Sequence, residues 1–200
     1  MAAALCLTLW NLHESRRAEQ SAREALNVLE ERVGEPDKAS GPKGEAVETQ
    51  RPVPEEPDYV LHPDMEMPEE EIDGNRYIGV LEIPALALEL PIISEWNYAR
   101  LKIAPCRYLG SAYQNNLILA GHNYKSHFGS LHRLKAGDEV FFTDMAGNRF
   151  AYSVSETEQL PGTAIEEMEA GDWDLTLFTC TVGGAARVTV RCELTGHTPA

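Results

Sequence analysis

The side chains best suited to covalent chemistry lie near the end of this 200-residue sequence. They fall in Asp174-Leu175-Thr176-Leu177-Phe178-Thr179-Cys180, Thr181-Val182-Gly183-Gly184-Ala185-Ala186 and Arg187-Val188-Thr189-Val190-Arg191-Cys192-Glu193-Leu194. Two β-branched stretches flank a glycine-containing turn, the pattern of an antiparallel hairpin. Because side chains alternate along a strand, Thr176, Phe178 and Cys180 share one face, as do Arg187, Thr189 and Arg191 on the return. A thiol ending one strand can then meet a guanidinium opening the next, a setting for a thiolate and the charge that serves it. Taken alone, the hairpin reads more simply as a small buried cysteine beside arginines on an exposed sheet face. A histidine with an ordered setting of its own would separate the two readings.

Such a histidine stands where the apolar run Asn116–Gly121 stops. Gly121 lets the chain turn sharply and leaves His122 at the rim of the sheet, followed by Asn123. His13, His62 and His197 read as solvated, and His132 beside Arg133 as a surface residue. His127 can line the same rim, although Phe128 and Leu131 read as the anchors of its loop. His122, His127 and Cys180 lack the tight ligand pair or carboxylate of a metal centre. No nucleotide loop, haem motif or calcium loop is visible, so neither cofactor nor metal is expected.

The elements that must position these groups are mostly strands. Tyr77–Ile83, Leu86–Ile93, Asn116–Gly121, Glu139–Asp144, Arg149–Val154 (with Ser155–Gln159 able to prolong it) and the two arms of the hairpin carry strand patterns. Short helical stretches fit Trp96–Leu101 and Pro161–Gly171. The expected fold is mostly β, a closed barrel of seven or eight strands with short helices, spanning 72–196. It is preceded by an N-terminal helix over 1–33 and an acidic, Pro/Gly-rich linker or arm over 34–71. Ala18, Ala22, Ala25, Leu26, Leu29 and Val33 recur at helical spacing. Residues 1–10 are uncharged and mostly apolar, either an ordinary helix start or the outer half of a membrane anchor, and Trp10 suits an interface. The linker reads as a solvated spacer, or as an arm laying Tyr59–Leu61 and Met65–Met67 on the domain.

The net charge of −15 at pI ≈ 4.8 argues against a nucleic-acid binder, which needs a basic stripe. That acidity is local: Glu45 to Asp73 holds eleven acidic residues against one basic one, Arg51. Cys6, Cys106, Cys180 and Cys192 show no CxxC spacing and are too scattered for a disulfide scaffold, with a Cys106–Cys192 bridge left open.

The strand-end histidine, the Leu175-Thr176-Leu177-Phe178-Thr179-Cys180 run and an arginine on the next strand together resemble the sortase family, cysteine transpeptidases of the Gram-positive cell surface. Ile78–Pro84 with Leu90-Pro91-Ile92 resembles its opening strands, and Leu119-Ala120-Gly121-His122-Asn123 its histidine segment. The ordered likeness covers about residues 76–194. Gly121-His122-Asn123 followed by His127–Leu131 is similar to class B members, whereas the helical insert many of these carry before the cysteine strand has room only for Pro161–Gly171. The resemblance implies a catalytic set of Cys180, His122 and Arg187, with Arg191 the fallback arginine. Asn123, Thr179 and Thr181 would support the site or bind substrate. It further implies cleavage of a Leu-Pro-x-Thr-Gly-like sorting motif of a surface protein between Thr and the next residue, through a Cys180 thioester passed to a cell-wall peptide amine. The expected location is the outer face of a Gram-positive plasma membrane, through an N-terminal tether only partly present. Alternatives are a hydrolase with the same site, a pilin-polymerising transpeptidase, and a noncatalytic binding domain.

Overall fold

The computed structural model describes residues 2–33 and 57–200. Most of the expected linker therefore lies outside the described residues. An N-terminal helix, α1 (Ala2–Val33), precedes a short helix α2 (Asp58–Leu61) and nine strands. The strands are β1 (Glu70–Ile72), β2 (Asn75–Ile83), β3 (Leu88–Ile93), β4 (Cys106–Leu109), β5 (Leu117–Ala120), β6 (Glu139–Asp144), β7 (Arg149–Pro161), β8 (Leu175–Cys180) and β9 (Ala186–Thr198). A helical turn, α3 (Ile165–Glu169), links β7 to β8.

All nine strands join one mixed sheet in the order β1-β2-β3-β4-β5-β8-β9-β7-β6, with β6 also pairing to β2. β2 gives one edge to β3 over Tyr77–Ile83. Its other edge takes β1 over Asn75–Tyr77 and then β6 over Gly79–Glu82. The expectation of a closed barrel of seven or eight strands is therefore corrected. There are nine strands, β1 stands outside the curl, and β3 meets β4 through the single parallel pair Ile93–Cys106. The ladder breaks there because Pro105, just before β4, has no N–H to donate and only its carbonyl accepts, from Ile93 N–H at 2.9 Å. No unbroken hydrogen-bonded cylinder results.

Two local features allow the close approaches inside this sheet. At Gly79 a Cβ would sit 2.3 Å from the Thr143 carbonyl oxygen, so only glycine admits β6 against β2. β9 runs thirteen residues and serves both β8 and the equally long β7, with register shifts on the β7 side that let the pair bend.

The main core lies inside the curl, where Ile78, Leu81, Leu117, Leu119, Phe142, Leu177 and Val190 pack. Tyr59 and Met67, both inside the stretch expected to be linker or arm, enter that core, Tyr59 stacking on Tyr113 at 4.6 Å and 13°. Outside the curl, α1 lays Ala25 and Leu29 on Tyr77, Val80 and Ile93. Ala18 and Ala22 of the same face are also buried, so close approach by small side chains seats the helix. Leu29, with no exposed surface, contributes about 2 kcal/mol and the alanines much less. Among the described residues no helix is long and apolar enough to cross a membrane.

Candidate active site

The β8–β9 hairpin has the register and facing its alternation requires. Thr176 pairs with Arg191, Phe178 with Thr189 and Cys180 with Arg187, all antiparallel. The turn closes by Thr181 N–H donating to the Ala186 carbonyl at 2.8 Å and Gly184 N–H to the Thr181 carbonyl at 2.9 Å. Gly183 and Gly184 hold φ of 89° and 73°, left-handed values that favour glycine. Burial changes abruptly at the end of β8: residues 175–179 are buried and Cys180 is exposed. The simple reading of Cys180 as a core residue therefore fails. The other two described side-chain thiols behave oppositely, since Cys106 and Cys192 are buried and burial pushes each up to about 12.

β5 runs parallel to β8, in register as far as Ala120 with Phe178, and Gly121 N–H then donates to the Phe178 carbonyl at 3.0 Å. Each strand has two residues left to its candidate group, so His122, just past β5, and Cys180, the last residue of β8, stand at the same end of the sheet. Phe128 sets the turn. A Cβ on Gly121 would meet its ring at 2.4 Å, and Phe128 N–H donates to the His122 carbonyl at 3.1 Å. His122 stacks face to face on Tyr124, ring centres 3.9 Å apart at 10°, and its Nδ1 lies 3.0 Å from Asn123 Oδ1. In the tautomer protonated at Nδ1, Asn123 accepts that proton, which fixes the ring's orientation.

The two arginines on the β9 face differ sharply. Arg191 is 2% exposed and fully engaged. Its Nε meets Glu158 Oε1 at 3.0 Å, and its Nη1 donates to the Met168 carbonyl at 2.7 Å and to Thr176 Oγ1 at 3.2 Å. Its Nη2 donates to the Glu167 carbonyl at 2.7 Å. Arg191 thus holds the end of α3, where helix carbonyls lack partners of their own. Arg187 is half-buried beside the exposed thiol; its Nη1 donates to the Gly162 carbonyl, and its buried Nε has no partner among the described residues.

The remaining expected residues divide clearly. Asn123 reaches His122. Thr179 points to the opposite face from Cys180 and is 3% exposed. Thr181 spends both its N–H and its hydroxyl on Ala186, so it closes the turn. His127 is not at the rim: it is fully buried, with neither ring nitrogen hydrogen-bonded among the described residues. Burial, with His122 nearby adding to it, pushes it down to about 4, which the Ile103 backbone offsets only in part. Sequence reasoning missed Tyr124, the ring under His122, for which its place two residues along was the only signal. It also missed Tyr108, which packs edge-on to Phe178 at 5.2 Å and donates to Glu169 Oε1 at 2.8 Å.

The chain is similar to known proteins in sequence and in fold. The chain is 28% identical over 118 residues to sortase A of Bacillus anthracis, covering 54% of each, so it spans about half the length of that curated relative. Sortase A from Corynebacterium diphtheriae has a similar fold, with a TM-score of 0.56 at 21% identity over 61% of this chain and 62% of that one. Sortase A of Listeria monocytogenes gives 0.55 at 23%, over 62% and 90%. Sortase E from Streptomyces avermitilis gives 0.54 at 24%, over 62% and 90%. Structures named sortase A, C and E thus match to similar degrees. The sortase domain family matches residues 81–195, from late in β2 into the return strand of the Cys180–Arg187 hairpin, and the chain belongs to that family.

Proposed function

We propose that the protein is a cysteine transpeptidase that cleaves a C-terminal sorting motif of the Leu-Pro-x-Thr-Gly kind after its threonine and passes the acyl group to an amine of the cell-wall peptide. The observation that carries this reading is the exposed Cys180 thiol, cross-strand from Arg187 and beside His122 at the same sheet end. Cys180 passes its thiol proton to His122, and the Sγ thiolate attacks the threonine carbonyl. His122 protonates the departing amine, and the C–N bond breaks to leave a thioester on Sγ. The incoming amine gives its proton to His122 and attacks the thioester, releasing the thiol. Arg187 is permanently charged and half-buried cross-strand from Cys180, so a guanidinium donor that leaves the Gly162 carbonyl can turn to the oxyanion. Asn123 and Tyr124 keep the imidazole aligned. The site faces outward at the surface of a Gram-positive cell, with the chain tethered through its N-terminal segment.

The test is mass spectrometry of the protein after exposure to sorting-motif peptides, with and without an amine. An acyl adduct on Cys180 that an added amine converts to a ligated product is expected. Hydrolysis alone, unchanged by amine, assigns the same site to an endopeptidase. No adduct with any motif, with cleavage unaffected by Cys180→Ala, refutes the reading.

A further inference from the structure

Resting on that reading, we propose that Tyr124 is a positioning residue for the transfer reaction: the face of its ring holds His122 in the charged, proton-donating form. The buried ring of His127 packs against Tyr124 and fixes it in place.

The loop that carries His122 is built around Tyr124. The Tyr124 carbonyl accepts from the N–H groups of both His127, at 3.0 Å, and Gly129, at 2.9 Å. A Cβ on Gly129 would lie 2.5 Å from the Asn123 carbonyl oxygen and 2.8 Å from that of Tyr124, so the glycine lets the loop close on itself. The Tyr124 ring meets two imidazoles. His122 lies flat on it, centres 3.9 Å apart at 10°, and His127 meets it tilted, at 5.5 Å and 52°. His127 is fully buried and the other two rings are half-buried, so the row runs from the interior to the surface. Stacking engages the face of His122 and not its nitrogens, so it does not compete with proton transfer in the ring plane.

This geometry discriminates between the two states of His122. An aromatic face carries negative quadrupole density and attracts a cation, whereas a neutral imidazole gains mainly dispersion there. The reaction needs the charged state as the amine departs. At that step the Cys180 sulfur is bonded to the acyl carbon and is no counter-charge. Arg187 stands cross-strand from Cys180, and Lys125 is exposed on the loop itself. The groove beside Lys125 and Ser126 is lined by Arg16, Glu19 and Arg23 of α1 and Glu89 of β3, with Glu19 held by Arg23 at 2.6 Å. Among these groups cations outnumber carboxylates, which disfavours a further positive charge. The Tyr124 face opposes that effect at contact distance. His127, approached by the Ile103 backbone, adds no charge of its own, because burial keeps it neutral at working pH.

The experiment follows His122 by NMR titration in Cys180→Ala, which reads its midpoint without the coupled thiol. The resonance is identified by its loss in His122→Gln. Tyr124→Leu keeps apolar bulk and removes the face, and should lower the midpoint by about half to one pH unit. Tyr124→Phe keeps the face and should stay within about 0.2 pH units of the Cys180→Ala parent. His127→Phe exchanges one neutral ring for another and should leave the midpoint alone. With Cys180 intact, Tyr124→Leu should move the acid limb of kcat/KM down by the same amount. It should also lower the plateau about three- to tenfold, the factor by which the thiolate–imidazolium population falls. Tyr124→Met makes the same comparison if the Leu variant does not fold. A Tyr124→Leu midpoint equal to the parent's, whatever the rate does, reduces Tyr124 to a spacer and overturns the proposal. So does an equally large shift in Tyr124→Phe, which would assign the effect to the hydroxyl, or in His127→Phe, which would assign it to that ring. A lowered midpoint in Tyr124→Leu without acyl transfer by the native protein supports the stack and removes the transfer reading. Normal transfer with an unmoved midpoint removes the stack alone.

Discussion

Replacing the two arginines of β9 one at a time separates fold from chemistry. Arg191→Ala removes a buried guanidinium with four polar contacts and strands the Glu167 and Met168 carbonyls at the end of α3. Breaking a buried charge pair from one side costs about 3–5 kcal/mol. The Glu158 side chain is 33% exposed and can rehydrate, so the lower end applies, about 3 kcal/mol. For a domain of this size that lowers Tm by about 6–12 °C. Arg191→Lys should recover only part of this, since a point charge cannot satisfy a fork of acceptors. Arg187→Ala loses one carbonyl partner and removes a buried Nε that had none, so its stability should stay within about 1 kcal/mol of the native protein. Its transfer rate should instead fall by about 10²–10³ or more, the usual cost of removing an oxyanion donor. Urea denaturation midpoints and kcat/KM on one sorting-motif peptide provide both readouts. An Arg191→Ala midpoint equal to the native one, or an Arg187→Ala protein that turns over normally, would refute the division of roles.

Three further outcomes follow from burial. Under native conditions iodoacetamide should modify Cys180 well before Cys106 or Cys192, both sealed in the interior, as peptide mapping over a time course would report; equal rates would contradict the exposure at the end of β8. His127 is held neutral, with its folded value near 4 below the unfolded value near 6.5, so the unfolded chain binds the extra proton between these limits. Its contribution is full above about pH 6.5 and is lost as pH falls toward 4, on the order of 3 kcal/mol in all, and His127→Phe should flatten that part of the denaturation profile. A native slope identical to that of the variant would exclude the effect. Gly79→Ala drives a methyl into the Thr143 carbonyl and the Phe142 ring and should cost about 1–3 kcal/mol by thermal or urea melting, whereas the same change at Gly196, which has open space, should cost little.

What the sequence made legible was whatever short-range pattern decides. The hairpin carrying Cys180 and Arg187 could be read with its facing because two alternating strands around a glycine turn leave one register. Gly121 marked the end of β5, and its role against Phe128 is the reason His122 emerges at the rim. The failures have longer-range causes. β4 has only Cys-Arg-Tyr-Leu to show, too short for periodicity, and it exists because β5 offers it a free edge. Tyr59 sits among prolines and acids, a setting that leaves a solvated spacer and an arm on the domain both open, and its stack on Tyr113 decides for contact there. The barrel expectation counted strands but could not see Pro105 interrupting the join between β3 and β4. Thr181, expected to support the site or bind substrate, spends its N–H on the turn instead.

The ambiguity between Arg187 and Arg191 was of a different kind, and its resolution says something about the design of the face they share. Alternation alone makes them equivalent, since both project from β9 toward the side that bears Cys180. Their difference comes from what lies over them. The segment from Gly162 through α3 crosses this face and is tied at both ends: Arg187 reaches the Gly162 carbonyl, while Arg191 reaches the carbonyls of Glu167 and Met168. Tyr108 adds a third tie at Glu169. On the role proposed for Arg187, a substrate carbonyl competes only with the Gly162 tie, the one nearest the exposed thiol. The Arg191 and Tyr108 ties are untouched, so α3 and Met168 stay packed on Phe178 while Arg187 changes partner. One arginine can be spent on chemistry because the other, buried four rungs along the same ladder, keeps the wall standing.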